Sequence, residues 1–475
     1  MKFNKNSLLS GSVTYGAVTI FSRIASIILI PILTRLLSPE EYGILSMALT
    51  LVMLANFVVT FEVSQAVTLF FNDRSRADRN LYPGTAIRFS LAMYLSLLVV
   101  VTIFGEMISK MIVGGTIGTA IVIDGTMLLA ANGIFFLIQN QFRLELQSRG
   151  YAILTLGYVL LTSFGAIGGA LLFYSPAEGV ILGQAGGAAI VDIVGVLMLW
   201  NSFRGGFDTA KLREMLKYSL PLVPAGLLLL GGQQAPKLIL SMYGSLEDVG
   251  IYGLAYQIAG FSALAVLGVQ TAITPSILAN HEDAETPKML GRLFERFAIV
   301  ALILCSSLSI FASELVIIFS TSSYRRAADF VPFLSFAIVL NCFYIFFPGK
   351  IIRGKSASQL VASAGSFLVA VVTGLFLIRF DGVRGAALSA LLSAATFFFI
   401  WCRISQKLYR VPINWLNLLK SLLLAVAACG IGIFLIPTES DFFVFLIKCA
   451  LMFLLIGLIA RDFLLKWWRR PIGQL

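Results

Sequence analysis

The chain has 475 residues, 58% of them hydrophobic and 12% charged, with 35 Lys and Arg against 24 Asp and Glu and a net charge of +11. A soluble domain runs at about 45–50% apolar and about 25% charged residues, so this chain cannot cover its own surface and the apolar surplus must meet lipid. The cations sit in short runs between apolar stretches. That is the pattern of a membrane protein and not the continuous basic face of a nucleic-acid binder.

A spanning helix needs about 20 largely apolar residues. Fourteen stretches qualify: roughly 10–34, 42–70, 84–105, 117–141, 151–174, 179–200, 218–242, 250–275, 297–320, 330–349, 358–379, 384–402, 415–436 and 442–463. The second is long for one span, which predicts a tilt or a projecting cytoplasmic end. An even number puts both termini on one side. The loops on that side hold 24 Lys and Arg and the opposite loops six, so both termini are assigned to the cytoplasm.

The outer loops are short and leave no room for a domain outside the bilayer. Two longer cytoplasmic connections, about 201–217 and 276–296, read as amphipathic interfacial helices. In the first, Leu212, Met215 and Leu216 share a face; in the second, Thr286 before Pro287 is a helix-start signal. Lys2 and Lys5 precede an apolar stretch too long for a cleavable leader. All five cysteines lie in apolar runs without Cys-x-x-Cys spacing, and His281 is the one histidine. Buried, unreactive thiols are expected, with no zinc site or disulfide framework.

An internal repeat organises the chain. ILTRLLSPEEYGILSMA from Ile32 and ILSMYGSLEDVGIYGLA from Ile239 match at a shift of 207, with Ser38/Ser245, Glu40/Glu247, Gly43/Gly250 and Ile44/Ile251 identical and Glu41 facing Asp248. Each reads as a helix end, a tight outer turn, and a Ser cap with acids in the next first turn. EGVILG from Glu178 and DGVRGA from Asp381 form a second pair at a shift of 203. The fold class expected is therefore all-α integral membrane. Two pseudo-symmetric lobes of six helices, 1–203 and 204–410, are followed by two appended helices and a basic cytoplasmic tail, 411–475.

The segments LTRLLSPEEYGILSMALTL at 33–51, KYSLPLVPAGLLLL at 217–230, LGVQTAITPSI at 267–277 and DGVRGAALSALLSA at 381–394, in that order and spacing, resemble the multidrug/oligosaccharidyl-lipid/polysaccharide exporter superfamily, and within it the polysaccharide (O-antigen type) flippase branch. The resemblance implies a transporter of an isoprenoid (undecaprenyl)-pyrophosphate-linked oligosaccharide, working by alternating access in the bacterial inner membrane. Its partners would be that lipid-linked substrate, membrane lipids and polysaccharide assembly proteins. A peptidoglycan-precursor flippase and a cation-coupled multidrug exporter are the alternatives within the superfamily.

An anionic headgroup crossing lipid needs buried cations, and a charge near the bilayer centre costs ~2.5–3.5 kcal/mol. Arg23 lies midway along the first span beside Ser22 and Ser26. It suits pyrophosphate oxygens, the alternative being an ion pair with an acid on a neighbouring span. Lys237 follows Gly231, Gly232, Gln233, Gln234 and Pro236, a polar, helix-breaking run that, with Pro221 and Pro224, suggests a bent helix lining water. Snorkelling to the interface is the other reading of Lys237, and the leading one for Arg88. Arg23, Lys237, Arg88, Gln233 and Gln234 are the candidate substrate-binding residues. Glu62, Asp124 and Asp192 are intramembrane acids that serve either H⁺ or Na⁺ coupling or charge pairing. Gln139, Asn140, Gln141, Gln257, Gln270 and Asn341 line a sugar path or bond between helices.

No nucleotide motor, metal or other cofactor is expected. No acid pair or His/Cys cluster sits in a loop long enough for a catalytic pocket. A polymerase or ligase would want a large outer loop, and the reading is a transporter, not an enzyme.

Overall fold

The computed structural model describes residues 5–73, 80–113, 118–264, 283, 285–349, 357–434 and 442–468. Among them the chain forms helices and turns without a strand. In lipid every backbone N–H and C=O must be satisfied internally, and a helix does so within one segment. Among the described residues eight helices are long and apolar enough to cross a membrane, with 359–408 counted as one, or ten when each of two bent pairs is taken as one span. The chain separates into two compact units, Met1–Gly250 and Ile251–Leu475.

The first unit contains α1 (Lys5–Leu36), α2 (Pro39–Thr60), α3 (Val63–Asp73), α4 (Leu81–Val113), α5 (Thr119–Leu144), α6 (Ser148–Leu172) and α7 (Pro176–Met198). A single turn at Trp200–Phe203 leads to α8 (Thr209–Ser219), α9 (Leu222–Tyr243) and the start of α10 (Leu246–Ala259). Both turns read as repeats are closed by the same reciprocal cap. The Ser38 hydroxyl accepts from Glu41 N (3.3 Å) while Ser38 N donates to Glu41 Oε2 (2.9 Å). Asp248 N donates to Ser245 Oγ (3.1 Å) and Ser245 N to Asp248 Oδ2 (3.3 Å). Each satisfies two of the donors that a helix start leaves orphaned.

The tightest packing joins α6 to α7. A methyl added at Gly165 would overlap the carbonyl of Gly183, and one at Gly183 that of Gly165; Gly169 and Gly179 are related in the same way. Without side chains at these four positions the two backbones meet directly, so that dispersion does the work that apolar burial does in water. Val18, Ile87, Phe135, Ile138, Phe142, Tyr151, Leu154 and Val191 then join α1, α4, α5, α6 and α7 in one core. The opposite faces of these helices carry Val99, Ile103, Phe104, Met107, Phe164 and Ile193 exposed, as a lipid-facing surface requires.

Three expectations are corrected here. The long second span is broken, because Phe61 (φ 48°) and Glu62 (φ 55°) both adopt left-handed backbone between α2 and α3. Without this break the apolar run would overshoot the bilayer. The apolar face of α8 does not lie on lipid: Met215 is fully buried with Val63, Ala66, Tyr82 and Leu137, and Leu212 and Leu216 pack beside it. The Gly231–Lys237 run does not break its helix or lie loose. It is helical, with Gly231, Gly232, Gln234, Ala235, Pro236 and Lys237 buried. The bend of 47° falls earlier, between Ser219 and Leu222, at Pro221. Proline crowds the carbonyl four residues back, and for Pro236 that residue is glycine.

The second unit contains α11 (Thr286–Ile310), α12 (Ala312–Phe319), α13 (Val331–Cys342), α14 (Ala357–Leu408), α15 (Trp415–Phe434) and α16 (Phe442–Trp468). The α11 cap is Glu285, one residue before the Thr286 expected. Cys305, Cys402 and Cys429 are buried and Cys342 and Cys449 half-buried, and none of the five is in a disulfide. His281, Gln270 and the whole of 267–277 lie outside the described residues.

The 52 residues of α14 are two antiparallel helices joined at Asp381 and Gly382, where Gly382 takes φ 48°. Their interface is hydroxylic: Ser366 and Ser393 meet at 2.9 Å, as do Thr373 and Ser389. Phe294 gathers Phe343, Phe346, Phe347, Phe398 and Trp415 around its ring. The last helix is fastened by Lys448 Nζ to Glu314 Oε1 at 2.7 Å, with side chains 3% and 17% exposed.

Removing one partner of a buried pair leaves the other charge unsatisfied, at a cost of about 3–5 kcal/mol. Lys448→Met should therefore lower the melting temperature in detergent sharply, and adding Glu314→Gln should restore most of it. Equal melting temperatures for the single variant and the parent would show that the pair holds nothing in place.

Candidate functional site

Polar groups inside the first unit fall into three settings. The first is a cluster near the middle of the bundle. Tyr94 on α4 donates to Asn56 Oδ1 on α2 (2.7 Å), and Tyr158 on α6 donates to Asn132 Oδ1 on α5 (2.6 Å). The Tyr158 ring stacks on Phe135 at 3.8 Å between centroids. Gly133 makes room for the first of these bonds, since a methyl there would collide with the Tyr94 hydroxyl.

Asp192 on α7 completes the cluster. It is 7% exposed, lies within electrostatic reach of both tyrosines, and its Oδ1 has no hydrogen-bond partner among the described residues. Glu62 also reaches Tyr94 electrostatically. Its left-handed backbone, and that of Phe61, store strain of about 1–3 kcal/mol each. A buried carboxylate without a hydrogen-bond donor is a group that takes up a proton or a cation.

The second setting is Lys237. Its side chain is 9% exposed and crosses from α9 to α2, where Nζ donates to Ser46 O (3.1 Å) and Thr50 Oγ1 (3.0 Å). The residue neither snorkels nor lines water in this conformation. Its acceptors are neutral, and the Ser46 carbonyl already receives the Thr50 hydroxyl at 2.9 Å. Gln233 is half-buried and Gln234 buried, and neither side chain forms a hydrogen bond among the described residues.

The third setting is the connection from α7 to α8. Arg88 Nη1 donates to the carbonyls of Gly84 (2.9 Å), Phe203 (3.3 Å) and Gly205. Asn80 Nδ2 holds Asn201 O (3.2 Å), Tyr82 donates to Glu214 Oε2 (2.8 Å), and Asp208 N donates to Thr85 Oγ1 (3.1 Å). Arg88 is thus a clamp on backbone carbonyls, a use not foreseen from the sequence.

Arg23 differs from the other two cations. It is exposed on α1 between Ile20, Phe21 and Ile24, themselves exposed, and has no hydrogen bond or ion pair among the described residues. The alternative of a structural pair with Glu62, Asp124 or Asp192 is not formed there. Asp124 is half-buried and reaches only Glu178 electrostatically. The three cations therefore occupy three separate surroundings.

Of the polar residues considered for a sugar path, Gln139 bonds to Thr155 (3.0 Å) and Asn140 to Thr68 (2.9 Å), both across helices. Gln141 bonds to Glu145 (2.7 Å). Asn56 and Asn132 were overlooked, although each is an amide in an otherwise apolar run and could have been singled out on that ground. Glu314 was overlooked in the same way.

A solved structure described as the lipid II flippase MurJ in an inward closed conformation matches 95% of this chain and 100% of its own, at TM-score 0.76 and 13% identity. An inward-facing multidrug resistance MATE family transporter of the MOP superfamily matches 84% of this chain and 98% of its own (TM-score 0.58, 16% identity), and an outward-facing one 86% and 98% (TM-score 0.60, 15% identity). At these identities the likeness is one of fold. A sequence search of curated proteins returns no match. The family model described as polysaccharide biosynthesis protein matches residues 8–261. A multi-pass helical membrane protein with the MurJ and MATE fold, this chain belongs to the polysaccharide biosynthesis protein family.

Proposed function

We propose that the chain is a flippase that carries an isoprenoid-pyrophosphate-linked oligosaccharide across a bacterial cytoplasmic membrane for surface polysaccharide assembly. In this reading it has fourteen spans, both termini in the cytoplasm, and works by alternating access without an enzymatic step. The observation that carries it is Arg23: a guanidinium midway along a membrane helix, exposed and without a partner among the described residues. An uncompensated cation at that depth is costly unless an anion visits it, and a planar fork matches diphosphate oxygens. Membership of a polysaccharide biosynthesis family supports a glycan cargo.

Asp192 supplies the coupling step. Uptake of H⁺ or Na⁺ at its unpartnered oxygen would neutralise the cluster and bias one conformation over the other. The likeness to a structure named as a lipid II flippase favours a second reading, a peptidoglycan-precursor lipid as cargo. The unpartnered acid favours a third, a cation-coupled multidrug exporter. Identifying which lipid-linked glycan accumulates in a deletion strain separates the first two, and drug sensitivity of that strain tests the third.

Loss of a hydrogen-bonded charge costs about 1.5–3 kcal/mol. Arg23→Ala should thus cut export in a complementation assay by about tenfold or more, at parental abundance in the membrane. Arg23→Lys should restore export only in part. Full export by Arg23→Ala would remove this residue from the mechanism. Asp192→Asn, which keeps the volume and removes the charge, should make transport in proteoliposomes insensitive to an imposed H⁺ or Na⁺ gradient. Unchanged gradient dependence would move coupling elsewhere.

A further inference from the structure

Two tyrosine rings and an arginine meet where α1 passes the α5–α6 turn. Tyr15 of α1 stands edge-on to Tyr151 of α6, with 4.7 Å between ring centroids. Arg143, in the last turn of α5, lies over the Tyr151 ring at 5.5 Å, and its Nη2 donates to the Tyr151 hydroxyl at 3.4 Å. Arg143 is exposed and forms no ion pair among the described residues, although Glu145 is its close neighbour in sequence. That acid is taken up by neutral groups: Gln141 Nε2 (2.7 Å), Gln147 Nε2 (2.8 Å) and the Ser202 hydroxyl all donate to it. The Tyr15 hydroxyl is shut off from solvent, lies within electrostatic reach of Arg143, and has no hydrogen-bond partner among the described residues.

An arginine that only fixes topology needs water around it and nothing more. This one is held on an aromatic face, which orients the guanidinium and leaves most of its five N–H donors unused. Beside it a hydroxyl donor is kept unused as well, an unfavourable arrangement unless an acceptor arrives. Phosphate oxygens would satisfy both groups, and Glu145 does not compete for the cation.

The site continues along α1. Tyr15, Thr19, Ser22 and Ser26 recur every three or four residues and so share one face of the helix. The exposed Ile20, Phe21, Ile24 and Ile28 fall on the opposite face, and Arg23 lies on the flank of the polar one. The hydroxyls of Thr19, Ser22 and Ser26 donate to carbonyls of their own helix, which leaves their oxygens as acceptors for sugar hydroxyls.

We propose that Arg143 and the Tyr15 hydroxyl form a loading site that takes the diphosphate of an isoprenoid-linked cargo from the cytoplasmic leaflet, ahead of Arg23. The leaflet and the isoprenoid rest on the flippase reading; the anion site rests on the cluster.

The test measures equilibrium binding of tritiated farnesyl diphosphate, short enough to stay soluble, to the purified full-length chain in detergent. Arg143→Gln should weaken binding by about tenfold or more, the effect of losing a hydrogen-bonded charge, and Arg143→Lys should restore it in part. Tyr15→Phe, which keeps the ring and removes only the donor, should weaken it by about threefold. Unchanged binding in both Arg143→Gln and Tyr15→Phe would overturn the site. In an Arg23→Ala background the Arg143→Gln fall should persist; its disappearance would mean that Arg23 alone holds the anion and would overturn a separate loading step. Excess phosphatidylglycerol in the micelles should not displace the probe, and equal competition would overturn the diphosphate assignment in favour of ordinary leaflet lipid. Binding that depends on Arg143 but not on Arg23 would leave the loading site standing while removing the role proposed for Arg23.

Discussion

A polar group carried into the bilayer has no water to turn to, so each must find its partner inside the protein or act on what passes through it. Most in the first unit are spent on structure. Gln139, Asn140, Tyr94 and Tyr158 bond across helices, and Arg88 holds the carbonyls of the α7–α8 connection. Arg23 and the Oδ1 of Asp192 are among the groups left without a partner among the described residues, and both belong to ionisable side chains. In a helical membrane protein, where unpaired groups cost so much, those two are the natural places to look for cargo and coupling ion.

The second theme is how closely the helices approach. In water, apolar burial brings helices together; in lipid that gain is absent and proximity must come from small residues. The chain solves this twice with different chemistry. Between α6 and α7 the carbonyls lie against glycines, at Gly165/Gly183 and Gly169/Gly179. Between the two halves of α14, serine and threonine hydroxyls bridge the gap. The glycine seam has no hydrogen bonds to break, and the hydroxyl seam is tied at fixed points. A third close approach, at Gly43 and Gly250, joins helices of different repeats.

Composition and apolar run length were enough to establish that the chain is a helical bundle spanning a membrane, because lipid permits few alternatives. The 207-residue repeat was visible as well, since a serine with an acid three residues on is a local cap whose geometry depends on no distant residue, and both copies form it. The intramembrane charges could be found by position alone. Their roles could not. Nothing local distinguishes Lys237 bonded to Ser46 and Thr50, Lys448 paired with Glu314, and Arg23 left without a partner. Each is a cation in an apolar run, and its fate is set by which helix packs beside it. Tertiary packing also decided that the Gly231–Lys237 run stays helical and buried and that the second span breaks at Phe61–Glu62, because a helix bends where its neighbours leave space, and its own residues record only where bending is cheap.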